Sequence, residues 1–200
     1  MYTADSYGRV WLDEDSFLAP FGHFKKDYDF VINYLRDSSV ASKTYFDGFN
    51  EELLLQLYGA YLKNGHGWIG FHKKERASYH ILELASLVPL VYTVHGGISR
   101  KLWGKGSDLC ANFIKWFVFE EKDGTKLEGN IFKPNPALVA YYKRNGMTKD
   151  CEVKGRVSVE GKIHPLVIYS MSKEDYLGKP KEEVKEKKKK KRKSKKKKRS

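Results

Sequence analysis

From Ile98 to Glu121 the chain reads as the end of a strand, a turn Trp103-Gly104-Lys105-Gly106, and a helix that starts at the second glycine. This junction constrains the chain more than any other stretch. Two residues without side chains flank Lys105, so the main chain there can approach a bulky anion closely. The first N–H groups after Gly106 have no partners within the helix, and the helix dipole adds roughly half a positive charge behind them. Together they make a phosphate site. Leu109, Phe113, Trp116 and Phe117 fall at spacings of three and four, which gives the helix one apolar face to bury.

After an extended run from Thr125 to Phe132, a second helix is spelled out with its punctuation. Asn135 is a good N-cap and Pro136 suits the first helical position. Lys143 and Arg144 suit the last turn, and Gly146 suits a left-handed exit.

In their order and spacing these two segments resemble the GNAT superfamily of acetyl-CoA-dependent N-acetyltransferases. Residues 103–108 resemble the family's Arg/Gln-x-x-Gly-x-Gly/Ala loop, with Gly106 matching and Trp103 and Asp108 departing; Ile98 stands five residues before it. The second segment is similar to the family's Asn, Tyr seven later and Gly-Phe four after that, here Asn135, Tyr142 and Gly146-Met147. From Cys151 to Met171 two alternating runs flank Glu160-Gly161-Lys162, which predicts a hairpin. Its ending, Ile168-Tyr169-Ser170-Met171, is similar to that of the subgroup that acetylates the N-termini of ribosomal proteins, although Pro165 stands where an acidic residue is common.

The resemblance implies a chemistry. Acyl transfer from a thioester to an amine needs a polarised carbonyl, a neutral nucleophile and a proton for the leaving thiolate. By resemblance, the Ile98 N–H donates to the acetyl oxygen, and Trp103, Gly104, Lys105, Gly106 and Ser107 hold the pyrophosphate through main-chain groups. Asn135 belongs to the same cofactor-binding set. Tyr142 takes the position of the general acid that protonates the sulfur. Some members carry a glutamate base five residues before the motif asparagine; here that residue is Asn130, whose amide cannot accept a proton. Glu128, on the same strand face, is the first candidate base, His95 the second and Glu83 the third. The remaining histidines show no metal-ligand spacing, and no metal is expected.

Elsewhere, a first helix is predicted over Gly22 to Val40 and a second from an Asn50 cap to Asn64-Gly65, with Leu53, Leu54, Leu57, Tyr58 and Tyr61 as its stripe. Strands are predicted at Trp68–Lys73, Tyr79–Leu87 and Leu90–Ile98, with an extra one near Arg9–Leu12. The expected fold is α/β: a mixed, mostly antiparallel sheet splayed at its centre and flanked by helices. By resemblance the splay is the cofactor slot, and Gly96-Gly97 suit a bulge that opens it.

The charge is unevenly placed. Of 38 Lys and Arg, 15 lie in Lys179–Ser200 against 3 of the 25 acids, a local charge of +12 that leaves the rest of the +13 chain nearly neutral. Such a run cannot offset its ordering entropy by burial, so residues 179–200 are expected to be a disordered tail on a domain of residues 1–178. The tail suits contact with nucleic acid or ribosomes through phosphate neutralisation, without base stacking, since no aromatic interleaves the lysines. Cys110 and Cys151 lack paired or zinc spacing and are expected to be packed thiols. Met1–Phe17 is polar and acidic with no signal-peptide core, no stretch approaches the ~18 apolar residues of a membrane span, and a cytoplasmic location is expected. The expected function is N-acetyl transfer from acetyl-CoA to an amine, of a protein or peptide, by direct transfer. The alternative is a catalytically degenerate acetyltransferase fold that binds nucleic acid or ribosomes through its tail.

Overall fold

The computed structural model describes residues 1–22, 25–37, 51–63, 65–131, 135–159 and 162–178. The Asn50 cap, the Glu160-Gly161 turn and the basic tail lie outside these residues. In chain order the elements are β1 (Val10–Trp11), β2 (Ser16–Pro20), α1 (Lys25–Arg36), α2 (Glu51–Lys63), β3 (Gly65–His72), β4 (Glu75–Leu87) and β5 (Leu90–Ile98). A short 3-10 turn (Arg100–Leu102), α3 (Lys105–Trp116) and a π-turn (Phe117–Glu121) follow. The chain continues with β6 (Lys126–Ile131), α4 (Pro136–Arg144), β7 (Thr148–Val159), β8 (Lys162–Ser172) and α5 (Lys173–Tyr176).

The eight strands form one sheet in the order β1-β2-β3-β4-β5-β6-β8-β7. Every neighbouring pair is antiparallel except β5 and β6. That exception follows from the chain path, because α3 carries the chain back across the sheet and a crossover of this kind joins parallel strands. Strand alternation sends side chains to two faces, each covered by helices. On one face Val31, Ile32 and Leu35 of α1 and Leu54 and Tyr58 of α2 pack against Ile69, Tyr79 and Ile81. On the other, Cys110, Phe113 and Ile114 of α3 and Tyr142 of α4 pack with Trp68, Leu82, Tyr92 and Leu127. Asp27, in the first turn of α1, is buried but paired: Arg76 donates to its Oδ1 from Nε at 3.0 Å and from Nη2 at 2.8 Å.

The sheet forks at its parallel seam. β5 and β6 are in register from Val91–Lys126 to Val94–Gly129 and no further. Beyond that point β5 stays zipped to β4 as far as Ile98–Ser78, while β6 follows β8 as far as Ile131–Val167. The expected splay is therefore present, but its expected cause is not. No bulge occurs at Gly96-Gly97, where the β4–β5 register runs in step; the irregularity lies between Leu84 and Ser86. The two glycines serve close packing instead: a Cβ on Gly97 would run into the rings of Tyr34 and Tyr79, and one on Gly96 would lie 2.8 Å from the Tyr79 carbonyl.

Two further differences from the sequence reading stand out. β2 was not expected, yet Phe17 stacks on Phe71 with centroids 4.8 Å apart and Leu18 is fully buried. Cys110 is buried as expected, whereas Cys151 lies exposed on β7.

Candidate functional site

Gly104 opens α3 with φ +82°, a conformation that glycine adopts without penalty, and no side chain caps the helix. The N–H groups of Lys105, Gly106 and Ser107 lie in the first turn, where intrahelical acceptors do not exist. Ser107 turns its hydroxyl back to the Gly104 carbonyl at 2.7 Å and so stiffens the loop without using those donors. Lys105 is exposed beside them.

Asp108, a carboxylate in the same turn, is drawn aside. Arg144 at the end of α4 donates to it from Nε at 3.0 and 3.2 Å, and the Asn145 amide donates at 3.2 Å. These bonds, led by Arg144, hold the Asp108 carboxyl below the usual carboxylate range. Its charge is thus met by α4 rather than presented to the loop. The Tyr141 hydroxyl donates to the Ser107 carbonyl at 3.4 Å, a second tie between the two helices.

α4 is punctuated as read: Asn135 accepts from the Leu138 N–H at 3.1 Å, Pro136 follows, and Gly146 exits at φ +84°. Asn135 therefore acts as a helix cap, and it borders a cleft of about 260 Å³ with Ile131, Val139, Lys149 and Tyr169. In the last turn of α4, Tyr142 is buried with its hydroxyl over Gly129, the last residue of β6 that is paired with β5. A Cβ on Gly129 would lie 2.5 Å from that oxygen. Burial raises the Tyr142 pKa well above the ordinary tyrosine value, and no hydrogen bond offsets it. A buried tyrosine hydroxyl normally has a partner. Tyr142 has none among the described residues, and it stands at the base of the fork.

The three candidate bases share the opposite face of the sheet. Glu83 and His95 lie on neighbouring strands, with His95 Nε2 and Glu83 Oε2 2.9 Å apart, and the imidazole stacks on Tyr61 at 4.4 Å. Glu128 pairs in register with Thr93 and so points to that face too, but its carboxylate is 2.8 Å from Lys126 Nζ. His95 lies one residue past the last β5–β6 pair, at the fork; Glu128 lies one residue before it.

The Ile98 N–H, expected by resemblance to donate to an acetyl oxygen, has a partner within the chain. The Ser99 N–H bonds the Ala77 carbonyl on β4 at 2.8 Å, so by alternation the N–H and C=O of Ile98 face away from β4, into the fork. There the Ile98 N–H donates to the Tyr34 hydroxyl at 3.1 Å, and that hydroxyl donates to the Ile98 carbonyl at 3.2 Å. The exposed Trp103 also reaches this carbonyl, its indole N–H donating at 3.1 Å.

Two features of the fork were not read from the sequence. One is Tyr34. The other is the side-chain oxygen of Asn130, which is buried without a partner immediately past Gly129. The unpartnered Asn130 oxygen and Tyr142 hydroxyl and the uncapped turn at Gly104 fit a long ligand with an anionic end and polar groups along its stem.

Comparison with solved structures supports the same frame. The chain superposes on spermidine N-acetyltransferase from Vibrio cholerae, solved with CoA and spermine, with a TM-score of 0.69 at 15% identity, covering 83% of this chain and all of that one. It superposes on the Salmonella typhimurium acetyltransferase that modifies the N-terminal serine of ribosomal protein L7/L12 with a TM-score of 0.68 at 10% identity, covering 82% and 98%. A probable acetyltransferase matches at 0.63 and 15% identity, covering 84% and 98%. No protein-family model matches the sequence, and no curated protein matches it significantly. The fold is that of the GNAT N-acetyltransferases.

Among the described residues, no helix is long and apolar enough to cross a membrane, and no cluster of His, Cys, Asp and Glu could hold a metal ion.

Proposed function

We propose that the protein is an N-acetyltransferase that moves an acetyl group from acetyl-CoA to an amine by direct transfer. The observation that carries this reading is the unpartnered Tyr142 hydroxyl at the base of a fork whose rim bears the uncapped turn at Gly104. Acetyl-CoA, when bound, supplies an acyl thioester and a pyrophosphate. The main-chain donors of residues 104–107 hold the anionic end, with Trp103 and Lys105 beside it. The Ile98 N–H, aimed into the fork, is positioned to bond an acyl oxygen. Tyr142 keeps its proton at neutral pH because burial raises its pKa, so it can deliver that proton to a departing thiolate.

His95 is the base this arrangement favours. With Nε2 engaged by Glu83, the imidazole leaves Nδ1 as acceptor on the face covered by α1 and α2, where the acceptor amine would enter. Glu128 is less suited, since its carboxylate is already paired with Lys126, which also bridges Asp150.

The acceptor we infer is an amine of a protein or peptide, supported by the likeness of the β7–β8 hairpin ending to the ribosomal-protein subgroup. Residues 179–200 are proposed to bring that acceptor close by binding ribosomal or other nucleic acid. Calorimetry with acetyl-CoA, followed by acetylation assays on N-terminal peptides and on spermidine, tests the whole reading. Binding with peptide acetylation supports it. Failure to bind acetyl-CoA, with salt-sensitive RNA binding that depends on residues 179–200, favours the degenerate fold.

A further inference from the structure

We propose that Tyr34 is a displaceable cap on the acyl site, holding the Ile98 N–H until an acyl oxygen replaces its hydroxyl, and that Trp103 makes the exchange one-sided. This rests on the acetyl-CoA reading above. Once β5 has parted from β6, the edge of Ile98 has no strand beside it among the described residues, and an unpaired buried N–H is costly. Tyr34, from the third turn of α1, fills that gap with one oxygen: it accepts from the Ile98 N–H and donates to the Ile98 carbonyl. Gly97 makes this reach feasible, because any side chain there would occupy the place of the Tyr34 ring.

A bare strand edge is poorly suited to an acyl oxygen, because the N–H attracts it while the carbonyl on the same side repels it. The Ile98 carbonyl, however, has a second donor in the Trp103 indole. When Tyr34 swings away, the carbonyl remains satisfied and only the N–H is left open. Trp103 is the position where the loop departs from the Arg/Gln of the family pattern, and this contact gives the departure a role. α1 also covers the face that carries His95, so moving Tyr34 links acyl binding to the acceptor side.

The cap predicts a difference between CoA and acetyl-CoA, which share every group except the acyl. Titration calorimetry on the full chain should show Tyr34→Phe binding acetyl-CoA about fivefold more tightly, the worth of one net hydrogen bond. CoA affinity should stay within about twofold, because it lacks the acyl oxygen that replaces the Tyr34 hydroxyl at Ile98. Trp103→Phe should shift the acetyl-CoA to CoA ratio the other way. Hydrogen exchange at Ile98 gives a readout independent of turnover: faster in free Tyr34→Phe than in wild type, and slowed again by acetyl-CoA but not by CoA. In the wild-type protein, the Tyr34 ring resonances should move with acetyl-CoA and stay with CoA, which tests the cap without any variant. Equal shifts for both ligands, or weaker acetyl-CoA binding by Tyr34→Phe, would overturn the cap while leaving the enzyme intact. Wild-type protein that binds neither ligand would remove both readings.

Discussion

The Tyr142 hydroxyl rests on the α-carbon of Gly129 so closely that a methyl group there would lie 2.5 Å from the oxygen and 2.6 Å from Cζ. Neither partner can yield easily, because Gly129 is strand backbone and the Tyr142 ring is buried against Tyr169, 5.6 Å away between centroids. Gly129→Ala should therefore cost about 1–3 kcal/mol by overpacking, lowering Tm by roughly 3 to 10 °C. It should also impair turnover, since relief of the clash displaces the hydroxyl from the fork. Thermal denaturation and steady-state kinetics on the same sample check both. An unchanged Tm would mean that the ring moves freely.

Tyr142→Phe removes a hydroxyl that has no hydrogen-bond partner among the described residues, so little stability should be lost. If that hydroxyl supplies the proton for the thiolate, kcat should fall about 10²–10⁴-fold with little change in acetyl-CoA affinity. Kinetics paired with calorimetry make the comparison. Equal turnover in the two proteins would leave Tyr142 as packing alone.

His80 provides a pH-dependent stability. It is buried beside Ser78 Oγ at 3.1 Å, and desolvation pushes its pKa down to about 4. In the unfolded chain an imidazole titrates near ~6.5, so between that value and about 4 the unfolded state holds the extra proton. The folded protein is therefore at full strength above pH ~6.5 and weakens as the pH falls, by about 3 kcal/mol once it reaches 4. Denaturation midpoints measured from pH 7.5 to 4.5 should show this decline, and His80→Gln should flatten it. Parallel slopes for the two proteins would assign the decline to other groups.

What could be read from the sequence was chemistry local to it. α4 was legible from end to end because Asn135, Pro136 and Gly146 each act within a turn of their own position. The bounds of β5 matched the reading, from the branched and aromatic run that begins after Pro89 to the aliphatic Ile98. β2 was missed because its five residues begin with a serine and end in a proline, and their burial depends on Phe71, 54 positions after Phe17. The contact of Tyr34 with Ile98 was invisible for the same reason, since 64 residues separate them. Its trace was Gly97, whose missing side chain was read as a bulge when it makes room for a ring. The order of the bases likewise turned on partners: Glu83 beside His95 is a relation that the paired strands create, whereas Lys126 beside Glu128 follows from alternation along β6 alone.

Asp108 departs from the family pattern at a place where a negative charge should oppose a pyrophosphate, and Arg144 answers it from 36 residues away. Both groups are solvent-accessible, so the pair contributes little to stability; its effect should be on ligand binding. Arg144→Gln would leave the carboxylate in the first turn of α3 without its main partner, and affinity for CoA should fall by a factor of about 2 to 5 at low salt. Asp108→Asn alone should strengthen binding by a similar factor. The double variant should return close to wild type, because the charge that Arg144 screens is then gone. Raising the salt should shrink all three differences together, as expected for exposed charges. If Arg144→Gln and the double variant were equally weak, Arg144 would be contacting the ligand directly rather than neutralising Asp108.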